Sequence, residues 1–147
     1  MTQNETDPNV ISLLSEVIMV DQLTRARLSR ALPKGMELSH FSVLNHLAHV
    51  QSEKGPAELA RAFSVTRGAM TNTLNRLEAA GYVHIRPDWE DARRKFVSIS
   101  DAGRGARDQA LMAIAPLTQE LAHELGTDAL KAALPVMRAL RRQLLAT

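Results

Sequence analysis

PAELARAFSVTRGAMTNTLNRLEAAGYVHIRPDWEDARRKFVSIS, residues 56–100, is the stretch that decides the fold. Its first seven residues, Pro56 to Ala62, predict a short helix, with Pro56 at a first helical position where its missing N–H costs nothing. Phe63-Ser64-Val65 reads as a turn. Thr66 then offers a hydroxyl to the free amides of a second helix, Arg67 to Ala80, and Gly81 can take the left-handed conformation that ends it. After Gly81 the apolar period drops from about 3.6 to 2. Val83 and Ile85 alternate with His84 and Arg86, then Val97 and Ile99 with Ser98 and Ser100, which predicts two short strands. Two helices followed by a two-stranded ribbon with a charged tip make a winged helix-turn-helix.

The second helix sorts its faces. Met70, Leu74 and Leu77 fall at i, i+4 and i+7 and form a stripe for burial. Turned away from it are Arg67, Thr71, Asn72, Asn75 and Arg76, which supply cationic forks, amides and a hydroxyl, the groups that base edges and phosphates accept. The plainer account is a solvated helix face, but such a face normally alternates acid and base, and Glu78 is the only acidic residue between Arg67 and Ala80. The loop from Pro87 to Lys95 is too long for a tight turn and closes with Arg93, Arg94 and Lys95. A projecting tip of this kind can set an Arg in a minor groove or along phosphates while the helix occupies the major groove. Alone, the ribbon would better suit a charged, soluble hairpin; it does not stand alone.

Three strings carry a family resemblance: Leu77-Glu78-Ala79-Ala80-Gly81-Tyr82-Val83, Arg86-Pro87-Asp88-Trp89-Glu90-Asp91-Ala92-Arg93-Arg94-Lys95, and Val97-Ser98-Ile99-Ser100-Asp101-Ala102-Gly103. Residues 56–103 resemble the reading core of the MarR family of bacterial transcription regulators. The resemblance implies that Arg93 reaches a minor groove, that Asp91 helps to orient it, and that the helix capped by Thr66 enters the major groove. With Arg86, Arg94 and Lys95 these complete the expected set of double-stranded DNA contacts. Gly68, near the start of the reading helix, and the bulky, acidic Trp89-Glu90 tip depart from a simple phosphate clamp.

Composition fits a small regulator. The 147 residues carry 18 basic and 16 acidic side chains, so the net charge of +2 makes no polycation. Position matters more: from Arg61 to Arg104 eight basic residues stand against five acidic ones, enough for phosphate contact when doubled in a dimer. The absence of Cys excludes disulfides, thiolate metal sites and the cysteine oxidation by which some relatives sense their signal. No stretch approaches the roughly 18 to 20 apolar residues of a membrane span. The polar, acidic start, Met1 to Pro8, is unlike a signal peptide, so the expectation is a cytoplasmic protein.

The flanks carry more apolar surface than a reading domain needs. Residues 9–32 predict a helix whose Val10, Ile11, Leu13, Leu14, Val17, Ile18, Met19, Val20 and Leu23 wrap most of its circumference. Residues 102–125 and 128–146 continue with Leu111, Ile114, Leu117, Leu121 and Leu125, then Leu130, Leu134, Met137, Leu140 and Leu144, at helical spacing. Pro116 and Pro135 should kink or break these helices. Apolar stripes at both ends of the sequence point to a helical dimer interface, with the core of a monomer as the competing account. The predicted organisation is a mainly α protein with a small β-wing: a dimerisation helix in residues 1–33, the winged helix-turn-helix in 34–103 and further dimerisation helices in 104–147. The resemblance implies a homodimer, probing a pseudo-palindromic operator, and a small aromatic or phenolic effector at the junction beside a linking helix from Leu38 to Val50. No motif marks effector contacts. It also favours a repressor.

Two other functions compete. His46 and His49 share a helix face, with His40 nearby, and His123 with Glu120 and Glu124 offers similar chemistry elsewhere, so a metal-responsive regulator of the same fold is one alternative; no metal ligand or cofactor is assigned. The second is a winged helix that docks a protein and lacks sequence preference. Enzymatic readings fail: Gly103-Arg104-Gly105 lacks the further glycine of a dinucleotide fingerprint, and no nucleophile elbow is present.

Overall fold

A computed structural model describes residues 5–50 and 52–146; the expectation for Met1 to Asn4 lies outside the described residues. Helix α1 spans Pro8–Ala31, α2 Leu38–His49, α3 Pro56–Ala62 and α4 Arg67–Ala79; strands β1, Val83–Pro87, and β2, Lys95–Ile99, follow, then α5, Asp101–Leu125, and α6, Thr127–Ala146. Every helix expected from the sequence is present, within one residue or so at each end.

The helix starts have chemical causes. Asp7 accepts from the Asn9 N–H at 2.8 Å ahead of Pro8, and Thr66 Oγ1 accepts from the Ala69 N–H at 3.1 Å. Gly81, at φ +79°, takes the left-handed conformation expected after α4. Ser64 is the one described non-glycine residue at positive φ, 54°, and it turns the chain between α3 and α4. Pro116 and Pro135 do not end their helices: both sit on exposed faces, where water can donate to the carbonyl each leaves unpaired.

The winged unit closes its own core. Val43, Leu44 and Leu47 of α2, Leu59 and Ala60 of α3, the Met70, Leu74, Leu77 stripe of α4, and Val83 and Val97 of the ribbon form one buried cluster. The strands pair antiparallel in the register Val83↔Ile99, Ile85↔Val97, Pro87↔Lys95. Lys54 adds a third rung outside them, donating to the Val97 carbonyl at 3.0 Å and accepting from its N–H at 2.7 Å. Ser100 ties the ribbon to α5: its hydroxyl donates to the Gly81 carbonyl at 2.6 Å and accepts from the Gly103 N–H at 3.0 Å. Gly103 is required there, since a Cβ would overlap the Tyr82 carbonyl oxygen and come within 2.8 Å of Ile99 Cγ1.

A smaller cluster, Leu32, Phe41, Ala110 and Ile114, joins the end of α1 to α2 and α5. Beyond it the terminal helices have no interior. Neither α1 nor α6 buries a described residue, and Ile11, Ile18, Met19, Leu23, Leu134 and Val136 lie exposed along them.

Candidate nucleic-acid interface

Helix α4 stands on the core by Met70, Leu74 and Leu77, and that orientation fixes what it shows to solvent. Arg67, Thr71, Asn72 and Asn75 are exposed on the opposite face. Arg76 is exposed as well, but its Nη1 lies 3.4 Å from Glu37 Oε1, so it leans toward the start of α2. Thr66 Oγ1 accepts from the Ala69 amide as the cap expected from the sequence, and its O–H remains able to donate to a duplex.

The wing tip is ordered by its acids. The Asp88 side chain accepts from the Glu90 N–H at 2.9 Å, and the Asp88 N–H donates to the Arg94 carbonyl at 3.0 Å. The Asp91 carboxylate accepts from the Arg93 N–H at 3.0 Å and from its Nε at 3.3 Å, with Arg94 Nε at 3.9 Å. Asp91 thus orients Arg93, while the Arg93 side chain itself remains 92% exposed. A cation held at its root and free at its tip suits a groove that arrives with the partner.

Between α3, α4 and the wing lies a concavity of about 660 Å3 whose wall includes Arg61, Arg67, Thr71, Arg93, Arg94 and Lys95. Glu58 is its acidic member, with a carboxylate oxygen that accepts from the Gly55 N–H at 3.3 Å. Arg61 was absent from the expected contacts. Its sequence signals are its place at the head of the basic run from Arg61 to Arg104 and in the last turn of α3, just before the chain reverses into the reading helix.

Arg86 behaves differently from the expectation that it contacts DNA. Its Nε and Nη2 meet the two Glu53 oxygens at 2.8 and 2.7 Å, and its guanidinium lies 4.8 Å from the Phe96 ring centre. The hydrogen bonds from Arg86 hold the Glu53 carboxyl below its ordinary pKa, and the same bonds raise that of Arg86. A guanidinium whose Nε–Nη2 edge is filled by an internal carboxylate no longer offers that edge to a bidentate phosphate. The sequence could not reveal this, because Glu53 lies 33 residues away.

The histidines do not converge. His46 stacks edge-on against Phe63 at 5.3 Å, and His49 Nδ1 lies 2.7 Å from the Asn45 carbonyl. Among the described residues no three His, Cys, Asp or Glu side chains gather where a metal ion could be held.

A sequence profile described as the MarR family matches residues 34–94, which spans α2, both helices of the reader and the wing to Arg94. A crystal structure of a cysteine-to-serine mutant of E. coli MarR complexed with operator DNA superposes with a TM-score of 0.74 at 27% identity, covering 92% of this chain and 99% of that one. The chain is similar to the MarR family across residues 34–94. Among curated relatives, an uncharacterised HTH-type transcriptional regulator of Bacillus cereus is 37% identical over 54 residues, 37% of this chain and 35% of the relative. The transcriptional activatory protein BadR of Rhodopseudomonas palustris is 30% identical over 73 residues, 48% of this chain and 42% of BadR. The chain therefore spans about a third to two fifths of the length of these curated relatives. Family members are transcription regulators and not enzymes. No described helix is long and apolar enough to cross a membrane.

Proposed function

We propose that this chain is a MarR-like, sequence-specific, double-stranded DNA-binding transcription regulator that acts as a homodimer on a pseudo-palindromic operator. The observation that carries the reading is the cationic concavity between α4 and the wing, with Arg93 anchored by Asp91 and projecting into solvent. Arg67, Thr71, Asn72 and Asn75 would face base edges and nearby phosphates in the major groove, Thr66, Arg94 and Lys95 the backbone, and Arg93 the minor groove. Two-fold pairing through the exposed apolar faces of α1 and α6 would set two such readers about 34 Å apart, one turn of duplex. A dimer seated across two half-sites denies the same duplex to polymerase, which is the physical basis for reading it as a repressor.

Effector control has a candidate location. A cleft of about 520 Å3 opens where the α1–α2 turn, α4 and α5 meet, with Lys34, Glu37, His40, Arg76 and Gln109 on its wall. It joins the dimer-forming helices to the reader, so a small aromatic ligand with an anionic group that fits only one spacing of the two reading helices would shift duplex affinity by its preference for that state.

The test is selection of a duplex from a random library by the full-length protein, followed by titration at fixed salt. An operator reader should prefer its selected duplex by about 10³-fold or more over random DNA. Arg93→Ala should weaken that binding by about 1–3 kcal/mol and leave dimerisation intact. An unchanged dissociation constant removes the wing from recognition, and a protein that enriches no duplex is better read as a protein-docking winged helix.

A further inference from the structure

We propose that Glu53 is a positioning residue for DNA recognition, fixing the angle between the wing and the reading helix through Arg86. The proposal rests on the duplex-binding reading above.

The ribbon has only two strands, and an isolated hairpin of this size holds its shape poorly. Its inner end is anchored by the buried Val83 and Val97. The rung that leaves the core is Arg86↔Phe96, and there the ribbon is caught from the side. Glu53 takes both arms of the Arg86 fork, and the guanidinium lies over Phe96, the partner of Arg86 across the rung. Lys54, the next residue, forms both backbone hydrogen bonds with Val97. Pro56, two residues later, starts α3, which packs on α4. One short segment therefore launches the helix-turn-helix and grips the wing.

The pair is better placed to set geometry than to add stability. Its side chains are 36% and 42% exposed, and ion pairs in such surroundings contribute little to folding. A bidentate fork stacked on a ring does, however, define an orientation. From the Arg86 rung to Asp91 the chain can reach at most about 16 Å, so a tilt of about 10° at the rung would carry the tip by up to about 3 Å. The minor groove is only about 6 Å wide. Arg93 would then miss its place although its own anchor to Asp91 were intact.

The experiment uses full-length protein, the duplex that the wild type enriches from a random library, and Trp89 as the reporter. Trp89 is the sole tryptophan and stands 83% exposed at the wing tip. Glu53→Gln should lower the fluorescence anisotropy of Trp89 without DNA, and should weaken binding about tenfold, the worth of one misplaced groove contact. The slope of log K against log salt should stay as in the wild type, because no phosphate contact is lost. The charge-exchanged double variant Glu53→Arg/Arg86→Glu should recover most of both readouts, which a general loss of structure would not allow. Phe96→Leu, which keeps the ion pair and removes the ring, should give an intermediate anisotropy and supplies a second probe if Glu53→Gln folds poorly. The proposal is overturned if Glu53→Gln binds as the wild type does, or if Arg86→Ala flattens the salt slope by about one phosphate while Glu53→Gln does not. If the wild type enriches no duplex, the duplex-binding reading fails, and with it the recognition role; Trp89 anisotropy then still reports whether Glu53 holds the wing.

Discussion

The reader and the terminal helices solve the burial problem in opposite ways. Residues of α2, α3, α4 and the ribbon enclose a core in which Leu44, Leu59, Leu74, Leu77 and Val97 are almost wholly removed from solvent. Helices α1 and α6 are longer than any element of the reader, yet they bury no described residue. Leu23 is 67% exposed and Ile18 60%. Long helices gain most of their stability from packing, so two helices with bare apolar faces are incomplete as a single chain. The contrast separates the parts: a reader with a closed core of its own, and an arm pair whose bare apolar faces suit the proposed second copy.

The largest effect should come from breaking the arms. Ile18→Glu with Leu134→Glu places charge on both exposed apolar faces, and the protein is expected to sediment as one chain. Loss of the second half-site should then reduce affinity for the selected duplex by about 10²- to 10⁴-fold, while the circular dichroism of the reader survives. A double variant that remains a dimer would place the interface elsewhere and leave the apolar faces without a partner.

A smaller loss should follow from damage inside the reader. Gly103→Ala pushes a methyl group against the Tyr82 carbonyl and Ile99 at the point where β2 hands over to α5. Relief requires α5 to move away from the start of β1, which should cost about 1–3 kcal/mol or somewhat more. Denaturant unfolding would measure it. Wild-type stability would show that α5 can slide without penalty and that the ribbon is less firmly seated than the Ser100 hydrogen bonds to Gly81 and Gly103 indicate.

What could be read beforehand was local, and what could not was tertiary. The stripe of Met70, Leu74 and Leu77, the Thr66 cap, the left-handed Gly81 and the alternation around Val83 and Val97 all follow from spacings of four residues or fewer. These appear in the fold as expected. The attachment of Arg86 to Glu53 and of Arg76 to Glu37 depends on segments 33 and 39 residues apart meeting, and no period encodes that. Both arginines therefore looked like free DNA contacts. Lys54 was unreadable as a rung of the wing because a single paired residue has no alternation. Of the two outcomes expected at the prolines, a kink or a break, the break does not occur: each costs one hydrogen bond, and in helices of 25 and 20 residues with those positions exposed, the remaining turns carry the helix through.

The smallest effect, and the one that separates the two regions most cleanly, is set by pH. His46 packs on Phe63 within the reader, and burial, followed by the positive charges of Lys54, His49 and Arg141, lowers its pKa from the ordinary 6.5. The unfolded chain consequently takes up a proton at a pH where the native chain does not. Stability is thus complete above about 6.5 and declines as the pH falls below that value toward the lowered native pKa. Neither α1 nor α6 contains a histidine, and Arg141 of α6, which touches His46 only through its charge, stays protonated throughout, so the proposed dimer contact of those helices should change little over the same interval. Denaturant midpoints at pH 7.5 and pH 5 should therefore differ for the wild type, and His46→Phe should narrow the difference by removing the titrating ring while filling its place. Dimer dissociation measured by sedimentation at the same two pH values should not change. A dimer that weakens in step with the midpoint would mean that reader and arms unfold as one unit, and the division drawn from their burial would not hold.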